Sequence, residues 1–187
     1  MSFILASKSP RRIEILKKNK IKFKIIPARI KEETDFKKPN LIVMNLARKK
    51  ALYVASRNPD KPVIAADTIV YCKGKIIGKP KNRDNAMRFL KTQSGKWQRV
   101  YTGVCLMWLD KNIEICDWEV SQCYMRKLKD DEIKEIASKH LDKAGGWAVQ
   151  DGKDMLIAKI KGRYDNVVGL PLNIVKKFIK IIERANK

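Results

Sequence analysis

Val63-Ile64-Ala65-Ala66-Asp67-Thr68-Ile69-Val70-Tyr71-Cys72 sets one carboxylate in the middle of an apolar run. Its length and its β-branched content predict a buried strand, and Lys73-Gly74-Lys75 turns the chain back into Ile76-Ile77. A carboxylate taken out of water costs several kcal/mol unless it is paired or coordinates a metal. Asp67 therefore either faces a cleft at a strand end or pairs structurally with a lysine. The first reading is favoured, because strand ends are where open α/β sheets place ligands.

Strand-like and helix-like segments alternate on both sides of this run. Phe3-Ile4-Leu5-Ala6 predicts a strand running into Ser7-Lys8-Ser9-Pro10, with Ser9 at the N-cap and Pro10 at the first position of a helix reaching about Lys20. Lys22–Pro27 reads as a strand. Asn40–Arg57 carries Met44, Ala47, Ala51 and Val54 at helical spacing and stops before Pro59. Downstream, a helix is predicted around Asp84–Lys91. Period-two positions from Val100 to Trp108, the turn Asp110-Lys111-Asn112 and the run Ile113–Met125 make a long hairpin. Asp130–Leu141 reads as helix, Trp147–Gln150 and Met155–Ile160 as strands, and Leu172, Val175, Phe178, Ile179 and Ile182 as the stripe of a C-terminal helix. The order predicts a single α/β domain over 1–187 with a long, partly antiparallel sheet.

Composition narrows the function classes. The chain has 187 residues, 44% hydrophobic and 33% charged, which excludes disorder and leaves enough apolar side chain for a core. No apolar stretch approaches the roughly 20 residues of a membrane span, and Met1-Ser2-Phe3-Ile4 does not resemble a signal peptide. A cytoplasmic protein without membrane attachment is expected. Four cysteines at 72, 105, 116 and 123 and the single His140 leave no soft-ligand set for zinc, so a metal would sit on oxygen. The cysteines are expected to be reduced core residues. The net charge of +22 makes a polyanion the first partner to consider. Its lysines and arginines are scattered through the sequence, with no basic recognition helix and no evident aromatic platform, which argues against nucleic acid.

Several segments carry phosphate chemistry. Ser7-Lys8-Ser9-Pro10-Arg11-Arg12 puts two hydroxyls, a helix N-terminus and two guanidiniums directly after a strand, a combination that suits an anion. An ordinary capped helix with surface arginines would have the same sequence. Glu32-Glu33 with Asp35 is an acidic cluster in a basic chain, and Gly78-Lys79-Pro80 fixes a lysine between a flexible and a rigid residue. No P-loop or dinucleotide fingerprint occurs.

Together these motifs resemble the Maf family of nucleoside triphosphate pyrophosphatases. The resemblance rests on Leu5–Arg12, Leu46-Ala47-Arg48-Lys49-Lys50-Ala51, Ala65-Ala66-Asp67-Thr68, Gly78-Lys79-Pro80, Ser94-Gly95, Thr102-Gly103-Val104, Asp142–Gln150 and Asn166-Val167-Val168-Gly169-Leu170-Pro171, and it runs from Leu5 to Pro171. It implies an elongated mixed sheet with flanking helices in two lobes around a cleft, of inosine triphosphatase or Ham1 type. It also implies hydrolysis between the α and β phosphates with Mg²⁺ or Mn²⁺, and a homodimer.

Carried over residue by residue, the resemblance gives Ser9, Arg11 and Arg12 to the triphosphate, with Lys50 and Lys79 reaching it from the opposite wall. Glu32 takes the acidic position, with Glu33 near enough to compete. Asp67 becomes the proton acceptor, or with Glu32 a metal ligand. Arg11, Thr68 and Gln150 match the subgroup that prefers dTTP and UTP over the one that prefers 7-methyl-GTP. The absence of a nucleophile–histidine pair fits attack by water. One departure is Gln98, where the family usually has histidine. The competing hypothesis, a nucleic-acid-binding or septum-formation regulator, rests on the net charge and the family's history.

Overall fold

The computed structural model describes residues 2–139, 141, 144–147 and 156–186. Its N-terminal part is built from strand–helix–strand steps. β1 (Phe3–Leu5) leads through α1 (Pro10–Lys18) to β2 (Phe23–Ile25), and α2 (Pro39–Ala55) leads to β3 (Val63–Cys72). β2 and β3 both pair with β1 in parallel. Lys73 and Gly74, at φ 48° and 76°, close a two-residue hairpin into β4 (Lys75–Ile77).

Asn82 then caps α3 (Arg83–Gln93), its side chain accepting from the Asn85 amide at 2.9 Å. β5 (Trp97–Trp108) and β6 (Ile113–Met125) form the long hairpin, turned by a short 3₁₀ segment and by Asn112 in the left-handed region. α4 (Asp130–Ile136), β7 (Ile157–Lys161), α5 (Tyr164–Val168) and α6 (Leu172–Ala185) complete the chain. The seven-stranded sheet runs β2-β1-β3-β5-β6-β7, with β4 beside β3.

The chain divides into two compact units, Met1–Asp67 with Thr102–Glu119 and Gly169–Lys187, and Thr68–Tyr101 with Val120–Val168. In the first unit, Val63 and Ala65 of β3 pack with Ala47, Ala51 and Val54 of α2 and with Met107 of β5. Small residues on α2 let the helix lie directly on the sheet. A Cβ built at Gly103 would stand 2.6 Å from the Met44 amide nitrogen and would press on the Val43 carbonyl, so only glycine fits there. This close approach sets the height of α2 over β5, and Lys50 projects from the same face of the helix two turns on.

The second unit has its own core under α3 and α4, including Val70, Leu90, Val100, Met125, Ile133 and Trp147. Gln93 is fully buried there and fully bonded. Its amide donates to the carbonyls of Phe89 (3.0 Å) and Gly145 (2.8 Å), and its oxygen accepts from the Trp147 indole (2.8 Å). The Gly145 amide donates to the Gly78 carbonyl at 3.0 Å, which ties two of the sequence motifs together.

Four expectations are corrected. α4 ends at Ile136, not Leu141, because after Ala137 no apolar residue recurs until the exposed Leu141. Trp147 follows a 3₁₀ turn at Ala144–Gly146 and is not in a strand, while residues 148–150 lie outside those described; the last strand begins at Ile157. α5 was not anticipated, since five residues are too few for periodicity to declare a helix. Cys105 and Cys116 are joined as a disulfide across the β5–β6 hairpin, whereas all four cysteines were expected to be reduced. Cys72 and Cys123 are free and buried.

Candidate functional site

The residues expected at the site divide between the two units, and the first unit holds most of them. Asp67 continues the Val63–Ala65 face of β3 toward α2 and is 6% exposed. Lys50 meets it there. The Lys50 ammonium is 2.5 Å from Asp67 Oδ1 and 2.8 Å from Glu32 Oε1, so two carboxylates from distant parts of the chain share one positive charge. Glu32 is the acid that reaches Lys50. Glu33 instead turns its backbone carbonyl to Lys49, which donates to it at 2.9 Å and holds the acidic segment against α2.

Arg12 binds the residue that precedes Asp67. Its Nη1 donates to the carbonyl of Ala66 at 2.8 Å and to Ser7 Oγ at 3.2 Å, and its Nε donates to the carbonyl of Gly169 at 2.8 Å. Burial is the main influence lowering the Arg12 pKa; Asp67 opposes it, Arg11 adds to it, and Glu32 opposes it. These charges therefore lie within electrostatic reach of one another. Arginine remains a cation through such a shift. Its fork fastens the start of α1 to the residue before Asp67 and to the Gly169-Leu170-Pro171 motif.

Ser9 occupies the N-cap position with Pro10 behind it, but its hydroxyl does not cap the helix. Instead Ser7 Oγ accepts from the Ser9 amide at 3.2 Å. Ser7 is 8% exposed and touches both Ser9 and Arg12. Arg11 sits partly buried in the first turn of α1. The structure thus brings Ser9, Arg11, Arg12, Glu32, Lys50 and Asp67 together in one unit, with Lys50 held by acids rather than standing apart from them.

Thr68 and Lys79 belong to the second unit. Thr68 is the next residue of β3 and points to its opposite face. Lys79 is exposed, in the segment whose Gly78 carbonyl receives the Gly145 amide. Gln150 and most of the Asp142–Gln150 motif lie outside the described residues, as does His140. Gln98, which stands where the resemblance would have histidine, is 2% exposed inside the second unit, and neither of its amide atoms has a hydrogen-bond partner among the described residues. Sequence reasoning placed Ser7 in the phosphate segment without giving it a role of its own, and it did not single out Gln93. The signal for Gln93 is a polar residue on the apolar side of α3, one turn after Phe89.

A family model described as Maf-like protein matches residues 2–182. The chain belongs to the Maf family. This Maf protein is 47% identical over 180 residues to the dTTP/UTP pyrophosphatase of Elusimicrobium minutum (strain Pei191), covering 96% of its own length and 98% of that protein. It is 45% identical to the dTTP/UTP pyrophosphatase of Thermosipho melanesiensis (strain DSM 12029 / CIP 104789 / BI429), covering 92% and 93%. Among solved structures, the Ham1 protein of Staphylococcus aureus matches 96% of the Maf chain and 98% of its own with a TM-score of 0.53 at 13% identity, a likeness of fold. The mixed α/β fold of Ham1 type is therefore as the sequence motifs implied.

Proposed function

We propose that this Maf protein hydrolyses dTTP and UTP between the α and β phosphates, giving the monophosphate and pyrophosphate. The names of its relatives support the reaction and the pyrimidine substrates, in preference to 7-methyl-GTP. The observation that carries the reading in the structure is the shared contact of Glu32 and Asp67 on one ammonium in the unit that holds Arg12 and the start of α1.

The donor set suits a hard divalent cation. Glu32 and Asp67 already converge on a positive charge, and no group of three His, Cys, Asp or Glu residues with ligand geometry occurs among the described residues. Glu32 would therefore hold Mg²⁺ or Mn²⁺ together with phosphate oxygens of the substrate, with Asp67 either a further ligand or, in the preferred reading, the proton acceptor. When bound, the ion neutralises charge on the phosphates and on the leaving pyrophosphate.

The chain's own groups do the rest. Arg11, Ser9 and Lys79 bind and orient the triphosphate, and Arg12 keeps β3 and α1 in register around it. Lys50 offsets the repulsion between the two acids. Water attacks phosphorus, its proton passing to the Asp67 carboxylate as the new P–O bond forms. The bridging P–O bond breaks with its electron pair going to pyrophosphate. Thr68 and Gln150 read the base; a glutamine amide both donates and accepts, as the imide edge of uracil or thymine requires. By its resemblance the protein is a homodimer of the cytoplasm, and no described helix is long and apolar enough to cross a membrane.

The test is pyrophosphate release from a panel of nucleoside triphosphates with added Mg²⁺ or Mn²⁺. dTTP and UTP should lead the panel, and Asp67→Asn should lower turnover by at least about a hundredfold, the lower range for loss of a general base. A variant that turns over at the rate of the parent would refute the assignment.

A further inference from the structure

The sheet of the second unit has one face under helices and one face open. Val70, Cys72, Val100, Cys123 and Met125 point into the core beneath α3 and α4. The alternate positions point away from it. Tyr71 meets Tyr101 edge-on with centroids 6.5 Å apart, Trp97 lies 5.5 Å from Tyr124, and the Lys161 ammonium stands 5.0 Å over the Trp97 ring. Ile76, opposite Tyr71 in the β3–β4 register, is 42% exposed, and Trp97 is 40% exposed.

Cations surround these rings. Arg99 stands between Trp97 and Tyr101 on β5, Lys159 is opposite Tyr124, and Lys161 is opposite Gln122. All three are exposed. No Asp or Glu occupies the strand positions of this face, which are 69, 71, 76, 97, 99, 101, 120, 122, 124, 159 and 161.

We propose that this face binds single-stranded nucleic acid, with bases stacking on Trp97 and Tyr124 and phosphates meeting Arg99, Lys159 and Lys161. Every base offers a π-face, and rings set among cations on an open sheet satisfy both halves of such a strand. Competing occupants fit less well. A symmetric second copy would set the same three cations against themselves, and an apolar partner would strip them of water without pairing them. A duplex keeps its base faces stacked internally, beyond reach of the rings. The net charge of +22 favours encounter with any polyanion, and the rings select the unpaired form. These residues are separate from those assigned to the triphosphate, so the proposal stands apart from the hydrolase reading.

The experiment measures binding of fluorescein-labelled oligo-dT and oligo-U of about twelve nucleotides, and of a duplex of the same length, by anisotropy between about 50 and 200 mM salt. The full chain is compared with Trp97→Leu and with a triple variant, Arg99→Gln, Lys159→Gln and Lys161→Gln. Binding of either strand supports the proposal, and the tighter one identifies the polymer. Trp97→Leu should weaken binding about 5- to 100-fold at an unchanged salt slope. The triple variant should flatten the slope by about 2, at roughly 0.7 per phosphate contact. Both should keep the melting behaviour and the hydrolytic rate of the parent. Duplex binding as tight as single-strand binding, or unchanged binding by both variants, overturns the proposal. So does a parent dimer that Trp97→Leu dissociates in sedimentation, which would make this face an interface between copies.

Discussion

Replacing Lys50 by methionine keeps most of the side chain's bulk and deletes the ammonium that Glu32 and Asp67 both contact. The side chain of Asp67 is 8% exposed and that of Glu32 is 43% exposed, so the burden falls on Asp67 while water screens Glu32. Removing one partner of a buried pair costs about 3–5 kcal/mol, and the freedom of Glu32 to turn outward places this case near the lower end, about 3 kcal/mol. Urea unfolding at neutral pH measures the loss. An unpaired buried carboxyl holds its proton more tightly in the folded chain than in the unfolded one. Stability relative to the parent should therefore recover as pH falls toward about 4, the ordinary carboxylate range. Adding Asp67→Leu to Lys50→Met should restore most of the deficit, because the uncompensated charge is then gone. A Lys50→Met protein within about 0.5 kcal/mol of the parent, or a deficit that does not change with pH, would refute the reasoning.

Gly103→Ala should cost about 1–3 kcal/mol by forcing α2 off β5, and because Lys50 rides on that helix, hydrolysis should fall as well; melting and turnover at one temperature check both, and an alanine variant with native values would show that α2 is not held by this contact. Gln98→Leu removes two amide atoms that are buried without partners among the described residues and should raise stability by about 1–3 kcal/mol, read by urea unfolding; a loss of stability would mean the amide is needed where it stands. Glu132 accepts from the Arg126 guanidinium at 2.6 Å and from the Lys129 amide at 2.8 Å, which holds its carboxyl down at about 2 against the usual 4.5. The stabilisation this gives α4 is complete above the ordinary value and lost as pH falls through about 2, so the Glu132 carboxyl resonance should titrate well below those of the other glutamates, and a midpoint near 4.5 would remove the cap.

The parts of the fold that sequence made legible are those bounded by turns. β3 and β6 match their predicted limits, Val63–Cys72 and Ile113–Met125, because Lys73-Gly74 and Asp110-Lys111-Asn112 fix where pairing must reverse. α4 was legible at its start, Asp130, but not at its end, Ile136, and α5 is too short for a helical period to show. The Cys105–Cys116 pairing was readable in principle: each cysteine lies three residues from its end of the same turn, at Trp108 and Ile113, which places them opposite each other. Asp67 was recognisable because a carboxylate in an apolar run demands an explanation. Its partner was not, since any of 42 basic residues could have supplied the charge, and only the packing of α2 selects Lys50. The aromatic face of the second unit was hidden for a related reason. Tyr71, Trp97, Tyr101 and Tyr124 come from three strands, and nothing in their spacing along the chain reveals that pairing sets them side by side.

Gln93 fastens the Gly145 turn and the Trp147 indole to α3 with one hydrogen bond each, a further bond to the Phe89 carbonyl holds its amide in place, and Gly145 in turn holds Gly78. Anyone wishing to transplant a new recognition segment into this protein therefore inherits a fixed mounting point. Any such transplant must keep the glutamine, the glycine and the indole together as one bracket.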